Sequence, residues 1–451
     1  MLTMMVKRAE IEAHDETALQ RLSERLPETY QAIVGPLIDR QAQLLNVPKE
    51  SLVANVPRGL FRRILSPNES VLSADVYVHG STLIALRVTK ASRLQRTRSD
   101  GGDILHREME QHMLHVTFAA PDINNVNLAE FEDAVKEVWG VSIKEVKQPL
   151  RRLREIAPNG KAEKPTDADI ACAETLSDKS CRSLAIAIKS SGGLLLSDTP
   201  KQIPSKDRGR VDEVVQALEK IGVVETEIVV VCSKNATQVN RVPNVEVLKT
   251  LDEHGVRCSC GKPLSAEIAE EALSVTEYGQ SMLDGSRWFS VLVLQHLLDL
   301  GIPLENIRME QEYSGEEVDC MADVYGRLIL FELKDKQFNL GNAYSFGAKV
   351  GIFRPDYPVI VTTERVGSDA REHFVRSANS ERNRDRYSIA DRPASDMVFI
   401  EGIPSLRKGL ESLITSIAIE AFSPHLDLSL SYGSVSPESI LSVWASSGAA
   451  Q

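Results

Sequence analysis

Three charged residues in the C-terminal half have types and spacing that suit hydrolytic chemistry. Glu332 and Lys334 end an apolar run, and twelve residues separate Asp319 from Glu332. Side chains two positions apart on a strand share a face, so Glu332 and Lys334 are expected to point the same way. Tyr325-Gly326 has the composition of a two-residue hairpin turn. That turn sets Asp319 opposite Glu332, which predicts that the three groups lie together.

Two carboxylates at this separation repel each other unless a cation lies between them. Hard carboxylate oxygens favour Mg²⁺ or Mn²⁺, so Asp319 and Glu332 are candidate metal ligands. Lys334 beside them could position a water or stabilise charge on a phosphate. Glu317 lies opposite Lys334 in the same register and is a candidate accessory acid. The pattern predicts a catalytic set of Asp319, Glu332 and Lys334.

This spacing, an Asp followed after twelve residues by Glu-x-Lys, resembles the signature of the PD-(D/E)xK nuclease superfamily, which has a restriction-endonuclease-like fold. Val318 stands where the name-giving proline would be. The flanking segments also resemble that fold, with a helix at 286–302 before the hairpin and, after it, a helix at 339–353 and strands at 357–366 and 396–402. The resemblance covers about residues 276–423. It implies that Asp319 and Glu332 bind the divalent metal and that Lys334 assists the attacking water.

The resemblance implies a metal-dependent endonuclease that hydrolyses phosphodiester bonds in nucleic acid, with DNA favoured and Mg²⁺ or Mn²⁺ as cofactor. A nuclease joined to two further domains would suit a restriction or antiviral cell-defence effector. The alternative is a nucleic-acid-binding regulator whose nuclease-like domain is catalytically inactive. A third interpretation is a structural or assembly subunit that neither binds nor cuts nucleic acid.

Basic residues in two places are candidate nucleic-acid contacts. Lys336 and Lys349 follow the hairpin, on the segment that lines the DNA cleft in the resembled fold. Lys206, Arg208 and Arg210 gather at the start of an amphipathic helix predicted over 208–222, in a helix, turn, helix, strand order typical of a winged helix. Plain solvent exposure explains Lys336 and Lys349 equally well. For the three residues of the central region, the alternative is a small helical connector with no nucleic-acid role.

Three cysteines form a second candidate site. Cys232, Cys258 and Cys260 fall within 29 residues, and the last two flank a serine before a glycine, as in one knuckle of a zinc ribbon. A ribbon normally has two C-x-x-C knuckles, so the pattern is a degenerate one. Structural Zn²⁺ is one interpretation, with His254 as a possible fourth ligand. A ribbon that has lost its metal, or ordinary thiols, is the other.

The helices and strands predicted around the two candidate sites indicate an α/β multidomain protein. Residues 1–156 are expected to form an N-terminal α+β domain of unknown role, in which 16–47 are helical with breaks at Pro27 and Pro36. A linker at 157–169 leads to a winged-helix-like and degenerate zinc-ribbon-like region at 170–275. Residues 276–451 are expected to form the restriction-endonuclease-like α/β domain that the resemblance implies.

The composition of the chain excludes several classes of protein. The chain has 451 residues, 42 % of them hydrophobic and 26 % charged, which excludes wholesale disorder. Six cysteines are too few for a disulfide scaffold, and the net charge of −12 argues against a surface coated with basic groups. The sequence has neither a secretory leader pattern nor a run of ~20 apolar residues, so a cytoplasmic protein without membrane contact is expected. A homodimer, or a partner protein bound through the N-terminal domain, is a further expectation.

Overall fold

The computed structural model describes residues 1–33, 69–98, 104–121, 126–146, 151–156, 162–313, 315–384 and 397–430, with the isolated positions 39, 40, 42–44, 46, 48 and 123. These residues form an α/β protein with three β-sheets, which confirms the expected general class. They divide into two compact units. Unit 1 comprises the described residues of Met1–Arg151, Val324–Arg327 and the last helix from Lys408 onward, and unit 2 comprises those of Arg152–Asp323 and Leu328–Arg407.

Unit 1 contains a six-stranded antiparallel sheet in the order β2-β3-β4-β5-β1-β6. Its elements are β1 Thr3–Ile11, α1 Ala18–Arg25, β2 Tyr30–Ala32, β3 Glu69–His79, β4 Thr82–Arg98, β5 Ile104–Ala120, α2 Ala129–Trp139 and β6 Lys144–Glu145. Helix α2 covers one face of the sheet. Its Phe131 ring makes T-shaped contacts with the rings of Tyr77 and Phe118, at centroid distances of 5.7 and 5.9 Å. Burying an aromatic side chain of this size contributes about 1.5–3 kcal/mol.

The helix predicted over 16–47 is wrong between Pro27 and position 33, whereas the described positions 39, 40 and 42–44 are helical as expected. Helix α1 ends at Arg25, and β2 follows at Tyr30–Ala32. The Tyr30 ring stacks on His79 of β3 with centroids 4.1 Å apart, so sheet pairing replaces helical propensity there. The expectation for positions 34–38, which include the break at Pro36, lies outside the described residues.

Unit 2 begins with helices packed on a four-stranded antiparallel sheet in the order β7-β10-β8-β9. Its elements are α3 Arg151–Ile156, α4 Asp167–Ser177, α5 Lys179–Ser191, β7 Leu194–Leu195, α6 Val211–Lys220, β8 Val224–Val231, β9 Gln238–Val242, α7 Val245–Glu253 and β10 Ile268–Val275. Helix α6 buries Val214, Val215 and Leu218 on one stripe, within the helix expected at 208–222. The end of the predicted linker is the first turn of α4, and positions 157–161 lie outside the described residues.

A five-stranded mixed sheet in the order β11-β12-β13-β14-β15 follows. Its elements are α8 Glu277–Leu283, α9 Arg287–Asp299, β11 Ile307–Tyr313, β12 Glu316–Val324, β13 Arg327–Lys334, α10 Leu340–Phe353, β14 Tyr357–Thr362, α11 Ser368–Arg384, β15 Val398–Glu401 and α12 Ile403–Leu430. Strand β11 runs antiparallel to β12, whereas β13, β14 and β15 are parallel. Strand β13 is therefore central and buried along most of its length.

Two helices fix the environment of β13. Helix α9 is apolar on almost every side and buries eight of its residues, including Trp288 and Phe289. Helix α10 begins at a capping box in which Asn339 and Asn342 exchange side-chain and backbone hydrogen bonds. Within the part of the chain that the structure describes, no helix is both long and apolar enough to cross a membrane.

Candidate functional site

The hairpin β12–β13 closes through the two-residue turn expected from the sequence. Tyr325 and Gly326 have φ angles of 52° and 79°. Positive φ at both central positions matches the right-handed twist of the paired strands. Within unit 1, the Tyr325 hydroxyl oxygen accepts a 3.0 Å hydrogen bond from the backbone N–H of Met4.

Glu332 is the centre of the charged groups on this hairpin. The residue is 2 % exposed, and each of its carboxylate oxygens contacts a lysine ammonium. Lys334 Nζ lies 2.8 Å from Oε1, and Lys349 Nζ on α10 lies 2.8 Å from Oε2. A buried carboxylate needs such partners, since an unpaired buried charge is strongly destabilising. The two lysines therefore balance Glu332 in this arrangement.

Asp319 lies on β12, next to the same lysine. Its Oδ2 accepts a 2.7 Å hydrogen bond from the backbone N–H of Leu333 and lies 3.8 Å from Lys334 Nζ. No hydrogen bond to its other oxygen, Oδ1, is seen among the described residues. The side chains of Asp319 and Lys334 are 17 % and 25 % exposed, against 3 % for Glu332. The opening of the site to solvent is thus on the side of Asp319 and Lys334.

The charges of this site shift two pKa values. Burial raises the pKa of the Asp319 carboxyl, and the neighbouring Glu332 carboxylate raises it further, while Lys334 opposes both. Burial lowers the pKa of Lys334, but the Asp319 and Glu332 carboxylates outweigh it and leave the pKa above its usual value. The ammonium form of Lys334 is therefore favoured at neutral pH.

The residue after Lys334 anchors the end of β13. Asp335 Oδ1 lies 3.3 Å from Arg182 Nε on α5, and its Oδ2 accepts a 3.2 Å hydrogen bond from Trp288 Nε1 on α9. The Arg182 guanidinium also lies 5.1 Å from the Trp288 ring centroid. These contacts connect two helices to the strand that carries Glu332 and Lys334.

The remaining residues predicted around this hairpin have different surroundings. Glu317 is exposed and pairs across the sheet with Glu312 on β11, and Lys336 is exposed just beyond β13. Lys349, expected as a nucleic-acid contact, is only 6 % exposed and is bonded to Glu332. The expected surface exposure of Lys349 is wrong, because its ammonium is held in this buried ion pair, while its contact with nucleic acid stays a prediction.

The sequence holds a signal for Lys349 that the interpretation missed. Helix α10 buries Ala343, Phe346, Lys349 and Phe353. These positions follow helical spacing, so Lys349 falls on the apolar stripe. A lysine in the middle of such a stripe needs a buried partner, and Glu332 is the nearby acid that the hairpin supplies.

The three basic residues of the central region lie where the sequence placed them. Lys206, Arg208 and Arg210 are exposed on a 3-10 segment, Ser205–Arg210, directly before α6. Arg210 has acidic neighbours, with its guanidinium 3.2 Å from Glu213 and 3.7 Å from Asp178. Exposed ion pairs of this kind contribute about 0–1 kcal/mol to stability, so Arg210 can exchange its acidic neighbours for a phosphate at low cost.

The cysteines form a compact cluster with an additional residue. One ligand atom from each of Cys232, Cys258, Cys260 and Glu267 lies within 4.8 Å of the others, and the group could hold a metal ion. Cys232 follows β8, the turn containing Cys258 and Cys260 follows α7, and Glu267 precedes β10. The cluster borders a small apolar core that includes Val230, Val242, Leu248 and Leu264.

Glu267 is held in place by two hydrogen bonds. Cys260 Sγ donates to its Oε1 at 2.8 Å, and the Ser233 N–H donates to its Oε2 at 2.7 Å. The first bond raises the pKa of the Cys260 thiol and lowers the pKa of Glu267. The backbone N–H groups of Lys234 and Asn235 donate to the Cys232 sulfur and hold its pKa below the usual value.

His254, the candidate fourth ligand, is not part of this cluster. It ends α7, where its Nδ1 lies 2.7 Å from the Thr250 carbonyl oxygen, and it is exposed. Glu267 carries no local sequence signal, because it lies seven residues after Cys260 and no recurrent metal-binding spacing places a carboxylate there.

Comparisons with known proteins include a weak structural similarity. No protein-family model matches the chain, and no curated protein matches it in sequence. Among solved structures, the chain is similar to protein VC1899 from Vibrio cholerae, with 10 % sequence identity and a TM-score of 0.30. The similarity covers 66 % of this chain and 74 % of that chain. A TM-score this low does not define a shared fold.

Proposed function

We propose that this protein is a metal-dependent nuclease that hydrolyses phosphodiester bonds in nucleic acid, with DNA favoured. The observation that carries the proposal is the convergence of Asp319, Glu332 and Lys334 on one side of the hairpin β12–β13, with ion-pair distances of 2.8 and 3.8 Å. A surface hairpin would hold such charges in solvent, whereas Glu332 is buried at the centre of a sheet. Burying charged groups in this way is costly and is typical of functional sites.

The finer fold assignments belong to the same proposal. An antiparallel β11–β13 meander followed by the parallel strands β14 and β15 supports a restriction-endonuclease-like domain. The sheet order β7-β10-β8, with α5 and α6 before β8, supports a winged-helix-like region. The exposed basic segment before α6 supports a role for that region in contacting phosphates.

The residues of the site fit a divalent cation of the Mg²⁺ or Mn²⁺ type. Such ions bind hard oxygens and commonly use one or two protein carboxylates, with water and substrate phosphates completing the shell. Asp319 offers Oδ1, and Glu332 offers an oxygen once one of its two lysine contacts is exchanged. When bound, the ion would lower the pKa of a bound water and stabilise charge on the phosphate.

The chain's own residues then have separate tasks. Asp319 and Glu332 would fix the position of the cation against the substrate. Lys334 favours its ammonium form, so it would donate a hydrogen bond to the attacking water or to a phosphate oxygen. A phosphate could approach the site through its solvent opening, on the side of Asp319 and Lys334.

Lys349 is assigned the task of neutralising Glu332 before the cation binds. Two unit charges 4 Å apart interact by about 4 kcal/mol at an effective dielectric constant of about 20. Lys349→Met removes this competing charge, so we expect the Mn²⁺ concentration for half-maximal cleavage to fall at least about tenfold, allowing for partial screening. The measurement is cleavage rate against Mn²⁺ concentration.

Lys336→Met is the matched control, since Lys336 is exposed beyond the same strand. It should leave the Mn²⁺ requirement unchanged and alter only the dependence on ionic strength. An unchanged or increased Mn²⁺ requirement in Lys349→Met, with the protein folded, would show that Lys349 does not compete with the cation.

A second candidate function is nucleic-acid binding without cleavage. It is favoured by one observation, namely that both oxygens of Glu332 already have lysine partners at 2.8 Å. A site whose charges are balanced by lysines could persist as a structural ion-pair network. The two functions differ in one outcome, because only the nuclease breaks strands when metal is supplied.

The test is incubation of the full-length protein with supercoiled plasmid, linear duplex, single-stranded DNA and RNA, each with Mg²⁺, Mn²⁺ or EDTA. The proposal predicts strand cleavage that requires the metal and is strongest on DNA. Salt-sensitive binding without cleavage in any metal would favour the regulator. Cleavage that persists in EDTA would contradict the assigned chemistry.

A further inference from the structure

The cluster of Cys232, Cys258, Cys260 and Glu267 lies apart from the residues proposed for hydrolysis and has its own chemistry. Three thiols and one carboxylate converge from three separate segments of unit 2. Cys232 and Cys258 are 0 % and 3 % exposed, and Glu267 is 8 % exposed. Four potential ligand atoms directed at one another in a protected position are not explained by packing alone.

We infer that Cys232, Cys258, Cys260 and Glu267 form a structural Zn²⁺ site. Zinc at a structural site is tetrahedral, with about 2.3 Å to sulfur and 2.0–2.2 Å to a carboxylate oxygen. Those bond lengths place neighbouring ligand atoms about 3.5–3.8 Å apart. The four atoms already lie within 4.8 Å of one another, so small side-chain movements suffice to close the shell.

The backbone around the cluster has the form of two tight turns that each present a cysteine. The N–H of Ala236 donates to the Cys232 carbonyl oxygen at 2.9 Å, and Ala236 has a φ of 56°. The N–H of Gly261 donates to the Cys258 carbonyl oxygen at 2.8 Å, and Gly261 has a φ of 90°. Each turn fixes the backbone of a cysteine at its start, so the sulfurs of Cys232 and Cys258 are held close to the other ligand atoms of the cluster.

Glu267 completes the ligand set, and the three thiolates select the metal. Its Oε2 is fixed by the Ser233 N–H, which leaves Oε1 directed at the cysteine sulfurs. Three thiolates favour zinc over Mg²⁺ or Mn²⁺, whose preferred ligands are hard oxygens. Because four protein side chains fill a tetrahedral shell, no position remains for a substrate and the site is structural.

The site explains how the segment between β8 and β10 keeps its form. β9, α7 and the turn at 257–263 are inserted between these two neighbouring strands and share only a small apolar core. A bound zinc ion would cross-link three segments, namely the end of β8, the cysteine turn and the start of β10. This inference is independent of phosphodiester hydrolysis, and either could hold without the other.

The test uses tag-free full-length protein purified under reducing conditions and supplied with one equivalent of Zn²⁺ before desalting. Elemental analysis should find one zinc per chain, and X-ray absorption at the zinc edge should show three sulfurs at about 2.3 Å and one oxygen at about 2.0 Å. A chain that retains no zinc, or zinc bound only by nitrogen and oxygen, would overturn the inference.

Variants separate this site from any other zinc site. Glu267→Gln should weaken zinc binding more than tenfold in competition with a chromogenic chelator, and Cys232→Ser should abolish binding. Glu270→Gln and Cys181→Ala are matched controls, because Glu270 is exposed on β10 and Cys181 is buried in α5 away from the cluster. If all four variants hold zinc as the wild type does, the ion is bound elsewhere and the inference fails.

Discussion

Glu332→Gln is expected to lower the rate of metal-dependent cleavage by at least about 10³-fold, equivalent to about 4 kcal/mol of transition-state stabilisation. The substitution keeps the shape of the side chain and removes the negative charge that would hold the cation. It also removes the partner of two lysines, since Lys334 and Lys349 each contact one oxygen of Glu332. The loss should therefore appear in every metal and on every substrate. The measurement is the initial rate of plasmid cleavage at saturating Mn²⁺.

The control for this variant is Glu270→Gln, because Glu270 is an exposed glutamate on β10 and has no part in the proposed cation site. It should retain the wild-type rate within a few-fold. Thermal unfolding of both variants, followed by circular dichroism, shows whether the assay temperature lies within the folded range. A folded Glu332→Gln protein that keeps more than a tenth of the wild-type rate would remove Glu332 from the chemistry.

The largest expected effect on stability follows from Arg182→Ala, which should lower the free energy of unfolding by about 3–5 kcal/mol. The Arg182 and Asp335 side chains are 10 % and 8 % exposed, so the substitution leaves a buried carboxylate without its cation. Arg182 also donates a 2.7 Å hydrogen bond to the Leu176 carbonyl oxygen near the end of α4 and covers the Trp288 ring. Urea unfolding of wild type and variant, monitored by circular dichroism, gives the difference.

Arg376→Ala is the matched control for Arg182→Ala. Arg376 pairs with Glu372 on α11, but the two side chains are 75 % and 60 % exposed. Such an exposed pair contributes about 0.3–0.5 kcal/mol, so its loss should be close to the error of the experiment. Equal effects of the two substitutions would mean that the Arg182–Asp335 pair does not anchor the end of β13.

The candidate site shows which spatial relations local sequence rules can predict. The period of two along β13 and the turn at Tyr325-Gly326 were sufficient to place Asp319, Glu332 and Lys334 together, because hairpin geometry is local. Lys349 was assigned to the surface because its partner lies seventeen residues away on another element. Its position on the apolar stripe of α10 was the only local signal.

The cysteine cluster shows the opposite case. The spacing of Cys258 and Cys260 indicated one turn of a ribbon, and both lie in the cluster with Cys232. Glu267 could not be predicted, since its approach depends on how β10 pairs with β8. His254 was a reasonable ligand by residue type, yet the geometry at the end of α7 directs it to a carbonyl oxygen. Which residues can act as ligands at this cluster is therefore determined by the tertiary structure and not by the local sequence.

The fold itself was predictable where the pattern is strong and local. The apolar stripe of α6 and the alternation of β3 and β4 follow the periods of helix and strand. Beyond Pro27 the periodicity suggested helix, but Tyr30 pairs with β3 instead, where its ring stacks on His79. A short edge strand of this kind is determined by its neighbour in the sheet and not by its own sequence.

Binding of a divalent cation by Asp319 and Glu332 can be observed by diffraction from crystals grown with Mn²⁺. Data collected above and below the manganese absorption edge locate the ion without reference to activity. We expect one anomalous peak between the two carboxylates, with at least one lysine displaced from Glu332. Both lysines still bonded to Glu332, with no manganese between the carboxylates at saturating Mn²⁺, would contradict it.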